Sequence, residues 1–208
     1  MRHDALAAEW EALCVPAFSR PRVVAEPIIQ RAADTMEENR QTRNAPPTEH
    51  PILLPETGPT KPAALRGDVS VSGFWSRGQQ TIFDITVSDV DAPSYGGRSA
   101  ERVLAEREKQ KRTKYEKTCR ETRREFTPLA FGVDGSMGCA TNAAIRRLAS
   151  ALASKGHRPY SEMCGFVRSR LSITLVRAAH VCLRGARESQ AKPTRPYFES
   201  SAGYSLYR

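Results

Sequence analysis

The sequence predicts an α/β fold, a small mixed sheet flanked by helices, and two observations carry that expectation. Apolar residues recur at helical spacing in some stretches and alternate at period two in others, in the order helix, strand, strand, strand, helix, strand, helix, helix. Residues 66–87 read as two strands joined by an Arg77-Gly78 turn, and β-branched residues fill both arms. A chain of 208 residues suits one domain, expected over residues 1–187, and an apolar content of 39% is enough for a core.

In chain order, Leu6, Trp10 and Leu13 mark a short amphipathic helix that Asp4 can cap and that should end before Pro16. Residues 22–29 are β-branched and read as one strand, with Pro27 confining it to a sheet edge or ending it early. Residues 31–64 lose all periodicity and hold six prolines, which predicts a solvated loop or insertion. In the second arm of the hairpin, alternation puts Phe83, Ile85 and Val87 on one face and Ile82, Asp84 and Thr86 on the other. A turn segment at 89–97 follows, where Asp89 and Asp91 are expected as turn-forming acids. Then come a highly charged helix over 99–124 and a short strand over 126–133. A helix over 141–155 turns Ile145, Leu148 and Leu152 inward and stops at Gly156, and a last helix over 161–184 closes at Gly185. Residues 188–208 have no period and are expected as a disordered tail.

Charge narrows the possible partners. Lys and Arg outnumber Asp and Glu by 32 to 23, a net charge of +9, and such a surplus on a small domain favours a polyanion such as nucleic acid over a merely soluble basic surface. No apolar window approaches membrane-spanning length and no charged-then-apolar leader opens the chain, so a soluble intracellular protein, nuclear or cytoplasmic, is expected, with no membrane partner. The five cysteines are widely spaced without a C-x-x-C pair, which argues against a zinc site or disulfide frame and for reduced, mostly buried thiols. His180 and Cys182 lie two apart on a helix and point in different directions, so they are no nucleophilic pair. The glycine-rich stretch 131–138 lacks the Lys-Ser/Thr ending of a phosphate loop.

An acid in the middle of a β-branched strand needs a reason. The hairpin brings Asp84 and Asp68, sixteen residues apart, toward one end, where the two carboxylates can share a divalent cation. On the charged helix, Leu104, Glu108, Lys111, Tyr115, Cys119 and Thr122 fall on one stripe, whose apolar members identify it as the face turned to the sheet. Glu108 and Lys111 interrupt that inward face, either as an ion pair at the rim of the core or as functional groups. Lys109, Arg112 and Lys114 point elsewhere, as a solvated face or as phosphate contacts. Arg170, Arg177 and Arg184 recur every seven residues along the last helix, at the border of its buried face, where they either track a phosphate backbone or pair with acids and anchor the helix.

The pieces Arg2-His3-Asp4, Arg66-Gly67-Asp68, Phe74-Trp75-Ser76-Arg77-Gly78, Asp84-Ile85-Thr86-Val87-Ser88-Asp89, Glu108-Lys109, Lys111, Tyr115 and Pro159-Tyr160-Ser161-Glu162 resemble, in order, the nuclease-like domain found downstream of reverse transcriptases in eukaryotic retroelements. That domain belongs to the PD-(D/E)XK nuclease superfamily, and the resemblance covers residues 1–30 and 65–185. It implies a restriction-endonuclease-like fold, an αβββαβ core plus two C-terminal helices, and a metal-dependent DNA endonuclease of mobile-element origin. Asp68 and Asp84 would hold Mg²⁺ or Mn²⁺, Lys111 would orient the attacking water, and Glu108 would be a further ligand or would position the lysine. Arg77, Lys109, Lys114, Arg170, Arg177 and Arg184 would contact nucleic acid, and partners would be DNA and a reverse transcriptase domain of the same element. Glu26 is a weaker ligand candidate, and His3 could touch the site from the first helix, although a lone histidine near a terminus is usually just exposed. Two departures matter. Gly67 stands where the superfamily pattern has Pro, and Thr86 where it has Lys two residues after the second acid, which leaves Lys111 as the relocated lysine. The alternative is a catalytically inactive remnant that binds nucleic acid.

Overall fold

The computed structural model describes residues 2–30 and 65–185; the loop expected at 31–64 and the tail at 188–208 lie outside the described residues. The elements are α1 (Arg2–Phe18), β1 (Val23–Ala25), β2 (Ile28–Gln30), β3 (Leu65–Arg66), β4 (Val69–Ser72), β5 (Gln80–Ser88), α2 (Ala100–Glu121), β6 (Glu125–Gly132), α3 (Cys139–Gly156) and α4 (Tyr160–Gly185). Four strands form one mixed sheet in the order β1-β4-β5-β6, with β5 antiparallel to β4 and parallel to β6. The expected small mixed sheet flanked by helices is therefore present, and β5, β-branched and aromatic along its length, takes an interior place in it.

Alternation along β5 divides the core. Phe83 and Ile85 pack with Leu6 and Trp10 of α1, Ile145 and Leu148 of α3 and Leu171 of α4. Ring contacts knit this layer, with centroids 5.4 Å apart for Trp10 and Phe83 and 4.8 Å apart for Phe74 and Phe83. On the opposite face Ile82 packs with Tyr115 and Cys119 of α2 and Phe126 of β6. Helix α2 thus covers one face of the sheet, and α1, α3 and α4 cover the other.

Three local expectations are corrected. Helix α1 does not end before Pro16 but runs through it to Phe18, and Ser19 N–H still reaches the Val15 carbonyl at 2.8 Å. Burial of Phe18, whose ring lies 5.3 Å from that of Phe74, holds the last turn against the proline. The single strand expected at 22–29 is two: β1 pairs with β4, and β2 pairs with β3 in a separate ribbon. Glu26, at a φ of 46°, and Pro27, without an N–H, break the ladder between them. Among the cysteines, Cys14 and Cys119 are buried free thiols, whereas Cys139 is exposed and Cys164 and Cys182 are half-buried. No described helix is long and apolar enough to cross a membrane.

Gly67 sits where the chain crosses between ribbon and sheet. A Cβ there would lie 2.5 Å from Ile82 Cγ2, and its N–H donates to the Pro27 carbonyl at 3.0 Å, so neither a side chain nor a proline fits. Gly67→Ala should lower stability by about 1–3 kcal/mol through overpacking. Gly165→Ala, at a helical position facing open space, should raise it by about 0.5–1 kcal/mol. Urea midpoints of the two variants check both signs, and equal midpoints would refute the tight-packing account.

Candidate active site

The register of the hairpin decides where the acids fall. Val69 pairs with Phe83, and Asp68, one residue before Val69, comes beside the segment 83–85 that holds Asp84. Asp84 is the more confined, only 3% exposed, on a strand paired along both edges and under α2. Lys111 Nζ, reaching down from α2, lies 2.6 Å from Asp84 Oδ2. The ammonium is off the line of a hydrogen bond, so this buried oxygen has a charge partner but no directed hydrogen bond among the described residues. Tyr115, one turn beyond Lys111, faces the same carboxylate; burial first, and the Asp84 charge and hydrogen bond next, push its phenol above the usual range.

Asp68 lies just before β4, held by backbone bonds from its N–H to the Phe83 carbonyl at 2.9 Å and from Glu26 N–H to its own carbonyl at 2.7 Å. Its Oδ2 accepts the Ile85 N–H at 2.5 Å and meets His3 Nε2 at 2.8 Å. The hydrogen bond to Asp68 is the main cause that raises the His3 pKa to about 9, against an opposing effect of burial, so the ring is an imidazolium at neutral pH. The negative charge of Asp68 also contributes to the rise at Tyr115, which places the phenol in the field of both acids. Two carboxylates, an ammonium, an imidazolium and a phenol therefore meet at one end of the β4–β5 pair, and the exposed Asp4 carboxylate lies 3.1 Å from Nδ1 of the same His3 ring.

Glu108 is taken elsewhere. Its Oε1 accepts the Ala140 N–H at 3.0 Å, and the Thr141 N–H also bonds the carboxylate, so it closes the N-terminus of α3, where backbone N–H groups lack helical partners. Gly138 makes room for it, since a Cβ there would collide with the carboxylate. Burial is the largest influence on Glu108 and raises its pKa. Glu108 and Lys111, read together as a stripe, thus serve two different elements, and the expectation that Glu108 ligates a metal or positions the lysine gives way to this cap. Glu26 points outward, 77% exposed, with Arg66 at 3.6 Å. Asp89 accepts the Asp91 N–H at 3.3 Å in the expected turn.

The basic residues separate. Lys109 and Lys114 are exposed on α2, with Lys114 Nζ 4.7 Å from the Tyr115 ring centre, and Arg77 is exposed in the turn between β4 and β5. Arg170 is tied to Glu9 of α1 at 2.8 Å, which gives this member of the arginine stripe to the fold. Arg177 and Arg184 remain exposed on α4, across the sheet from α2. Sequence reasoning gave His3 little weight and Tyr115 only a packing role; the signals were the His3-Asp4 pair at the start of the first helix and the place of Tyr115 one turn after Lys111 on the inward stripe.

Among the described residues no three His, Cys, Asp or Glu side chains gather as a metal cluster. No family model, no curated protein and no solved structure matches the chain.

His3 gains its partner on folding, so its pKa rises from 6.5 to about 9 in the native state. The associated stability is complete below pH 6.5 and is lost as pH rises through about 9. With 42% of the side chain exposed, it amounts to only about 1 kcal/mol. His3→Gln should flatten the decline of melting temperature across that window; superimposable pH profiles of the two proteins would show that the pair contributes nothing.

Proposed function

We propose that the chain is a restriction-endonuclease-like domain of mobile-element origin that hydrolyses DNA phosphodiesters with the aid of Mg²⁺ or Mn²⁺. The observation that carries the reading is the buried Asp84 carboxylate, with one oxygen lacking a directed hydrogen bond, against Lys111 and next in the strand to Ile85, whose N–H the Asp68 carboxylate accepts. The element order agrees with an αβββαβ core followed by two helices, if the short ribbon strands β2 and β3 are set aside.

The donor set fits a hard divalent cation, because it consists of carboxylate oxygens and because the Lys111 ammonium already stands at the Asp84 oxygen where positive charge is wanted. Such an ion, when bound, supplies an acidified water and neutralises charge gathering on the phosphate. In this reading Asp68 and Asp84 hold it. Lys111, 28% exposed and on a flexible stem, turns from Asp84 to the phosphate oxygens or to the attacking water. Tyr115, a phenol kept protonated by burial, holds the Asp84 carboxylate by its hydroxyl. Lys109 and Lys114, exposed on the same helix, meet the DNA backbone. A reverse transcriptase domain of the same element is the partner this reading brings with it.

A second reading rests on an observation of its own. His3 and Lys111 already neutralise Asp68 and Asp84, as in a fold that keeps its shape and binds nucleic acid without cutting it. Mg²⁺-dependent nicking of plasmid DNA separates the two. Lys111→Ala and Asp84→Asn should each lower the cleavage rate by at least about 100-fold, the range of a lost electrostatic or acid–base group, with DNA affinity nearly intact. Absence of nicking in the unaltered protein, or an equal loss in Lys109→Ala and Lys114→Ala, would favour binding alone.

A further inference from the structure

A second basic site lies at the hairpin end of the sheet, away from the acids. A groove of about 530 Å³ is bounded by Arg22 before β1, Trp75, Arg77 and the flanking Gly73 and Gly78 of the turn at 73–79, and Arg147 of α3. Gly73 and Gly78 adopt φ of 83° and 87°, which fixes the turn, and Gly73 N–H closes it on the Gln79 carbonyl at 2.7 Å. The turn is also pinned to β6: Trp75 Nε1 donates to Thr127 Oγ1 at 2.9 Å, and Ser76 Oγ donates to Glu125 at 3.0 Å. Trp75 is thereby held edge-on by its nitrogen while 37% of it stays exposed.

The charges in this groove are unbalanced. Among the described residues Arg22, Arg77 and Arg147 have no carboxylate partner, whereas Arg20 next door pairs with Glu11 at 3.0 Å. Glu125, the nearby acid, is occupied by the Ser76 and Thr81 hydroxyls, both at 3.0 Å. Arg147 is half-buried, with its guanidinium 5.8 Å from the centre of the Phe18 ring, a cation–π contact that holds it in place without balancing its charge. Three guanidinium groups around a groove call for an anion with several oxygens, and guanidinium suits phosphate in geometry. A fixed, partly exposed indole beside them, packed at 5.0 Å in a T-shape with Phe74, is the kind of ring on which a base stacks. Phosphate and base together are the chemistry of a nucleic-acid strand.

We propose that this groove binds single-stranded nucleic acid, its backbone phosphates on Arg22, Arg77 and Arg147 and a base on Trp75. The proposal shares the nucleic-acid partner of the reading above but needs neither metal nor cleavage. Ser72 and Gln80, which close the β4–β5 ladder at the groove end, lie four residues from Asp68 and Asp84 along their strands. At an extended rise that is roughly 13 Å, about two nucleotides of a stretched strand.

The test uses the two tryptophans, since Trp10 is wholly buried and only Trp75 can meet a ligand. Oligothymidylate of about a dozen nucleotides, added to the full chain in EDTA, should quench the exposed tryptophan emission, and Trp75→Phe should abolish the quenching. Arg77→Gln, an exposed turn position, should weaken binding several-fold and reduce the slope of log K against log salt by about 0.7; with Arg22→Gln and Arg147→Gln added, the reduction should reach about 2. Melting temperatures accompany each variant, and Arg77→Gln alone suffices if the triple variant fails to fold. Quenching that survives Trp75→Phe, or a salt slope unchanged in Arg77→Gln, overturns the proposal. So does dextran sulfate binding as tightly as oligothymidylate through the same arginines, because a bare polyanion has no base to stack. Loss of quenching with plasmid nicking intact removes this groove alone, and loss of nicking with quenching intact removes the catalytic reading alone.

Discussion

Burial of an ionised acid inside a paired strand is the constraint on which the α2 face depends. Asp84 lies on β5, which is bonded to β4 on one edge and to β6 on the other, and α2 lies above it. A carboxylate so placed has little access to water, and an uncompensated charge there would destabilise the fold by several kcal/mol. Compensation comes from one helix, with Lys111 and Tyr115 a turn apart on it. That requirement restricts the rotation of α2 about its axis, because turning the helix away would carry Lys111 and Tyr115 off the carboxylate. The apolar stripe of Val103, Leu104 and Cys119 fixes which face of α2 turns to the sheet, and the ion pair narrows its position further.

The same helix is anchored a second time by Glu108. Its carboxylate, buried one turn before Lys111, bonds the first amides of α3, while Gly138 gives the backbone room to approach. The anchor joins elements on opposite faces of the sheet, since α2 lies on one side and α3 packs with α1 and α4 on the other. It passes at the end of β6, whose Ala130 N–H is bonded by Thr141 Oγ1 at 2.8 Å. Two acidic or basic side chains on one inward stripe thus perform separate tasks: Lys111 balances a strand charge, and Glu108 supplies a helix end with the negative group its free amides attract.

Periodicity made the secondary elements legible, because each helix and strand buries one face and the sequence records that face. The alternation in β5 put Phe83 and Ile85 on one face and Asp84 on the other, and the structure turns the first two toward α1 and the third toward α2. Lys111 was legible for the same reason, as a charge on a stripe that had to face inward. Glu108 was legible as buried but not as to its partner, because the α3 amides it meets are some thirty residues away and no local pattern links them. The division of residues 22–30 into β1 and β2 was hidden as well. A β-branched run looks continuous in sequence, and what breaks it is the positive φ at Glu26 together with the pull of two different partner strands. Gly67 reads as a departure from a motif until packing is considered, when the contact with Ile82 leaves no space for any larger residue.

The lysine that meets Asp84 comes from a helix and not from the strand. Thr86 lies two residues beyond Asp84 on the same face and is half-buried beneath the α2 layer. A lysine at that place would have to thread its stem between sheet and helix. From α2 the ammonium reaches Asp84 from above, along an opening that leaves it 28% exposed. That difference bears on chemistry as well as on packing. A lysine confined within the sheet layer would be committed to the carboxylate, whereas one hung from the edge of a helix can exchange its partner at small cost when a doubly charged ion or a phosphate arrives. His3, at the first turn of α1 and partly exposed, stands in the same relation to Asp68. Each acid is therefore balanced by a cation that is itself partly exposed, so the fold keeps its buried charges neutralised from the solvent side.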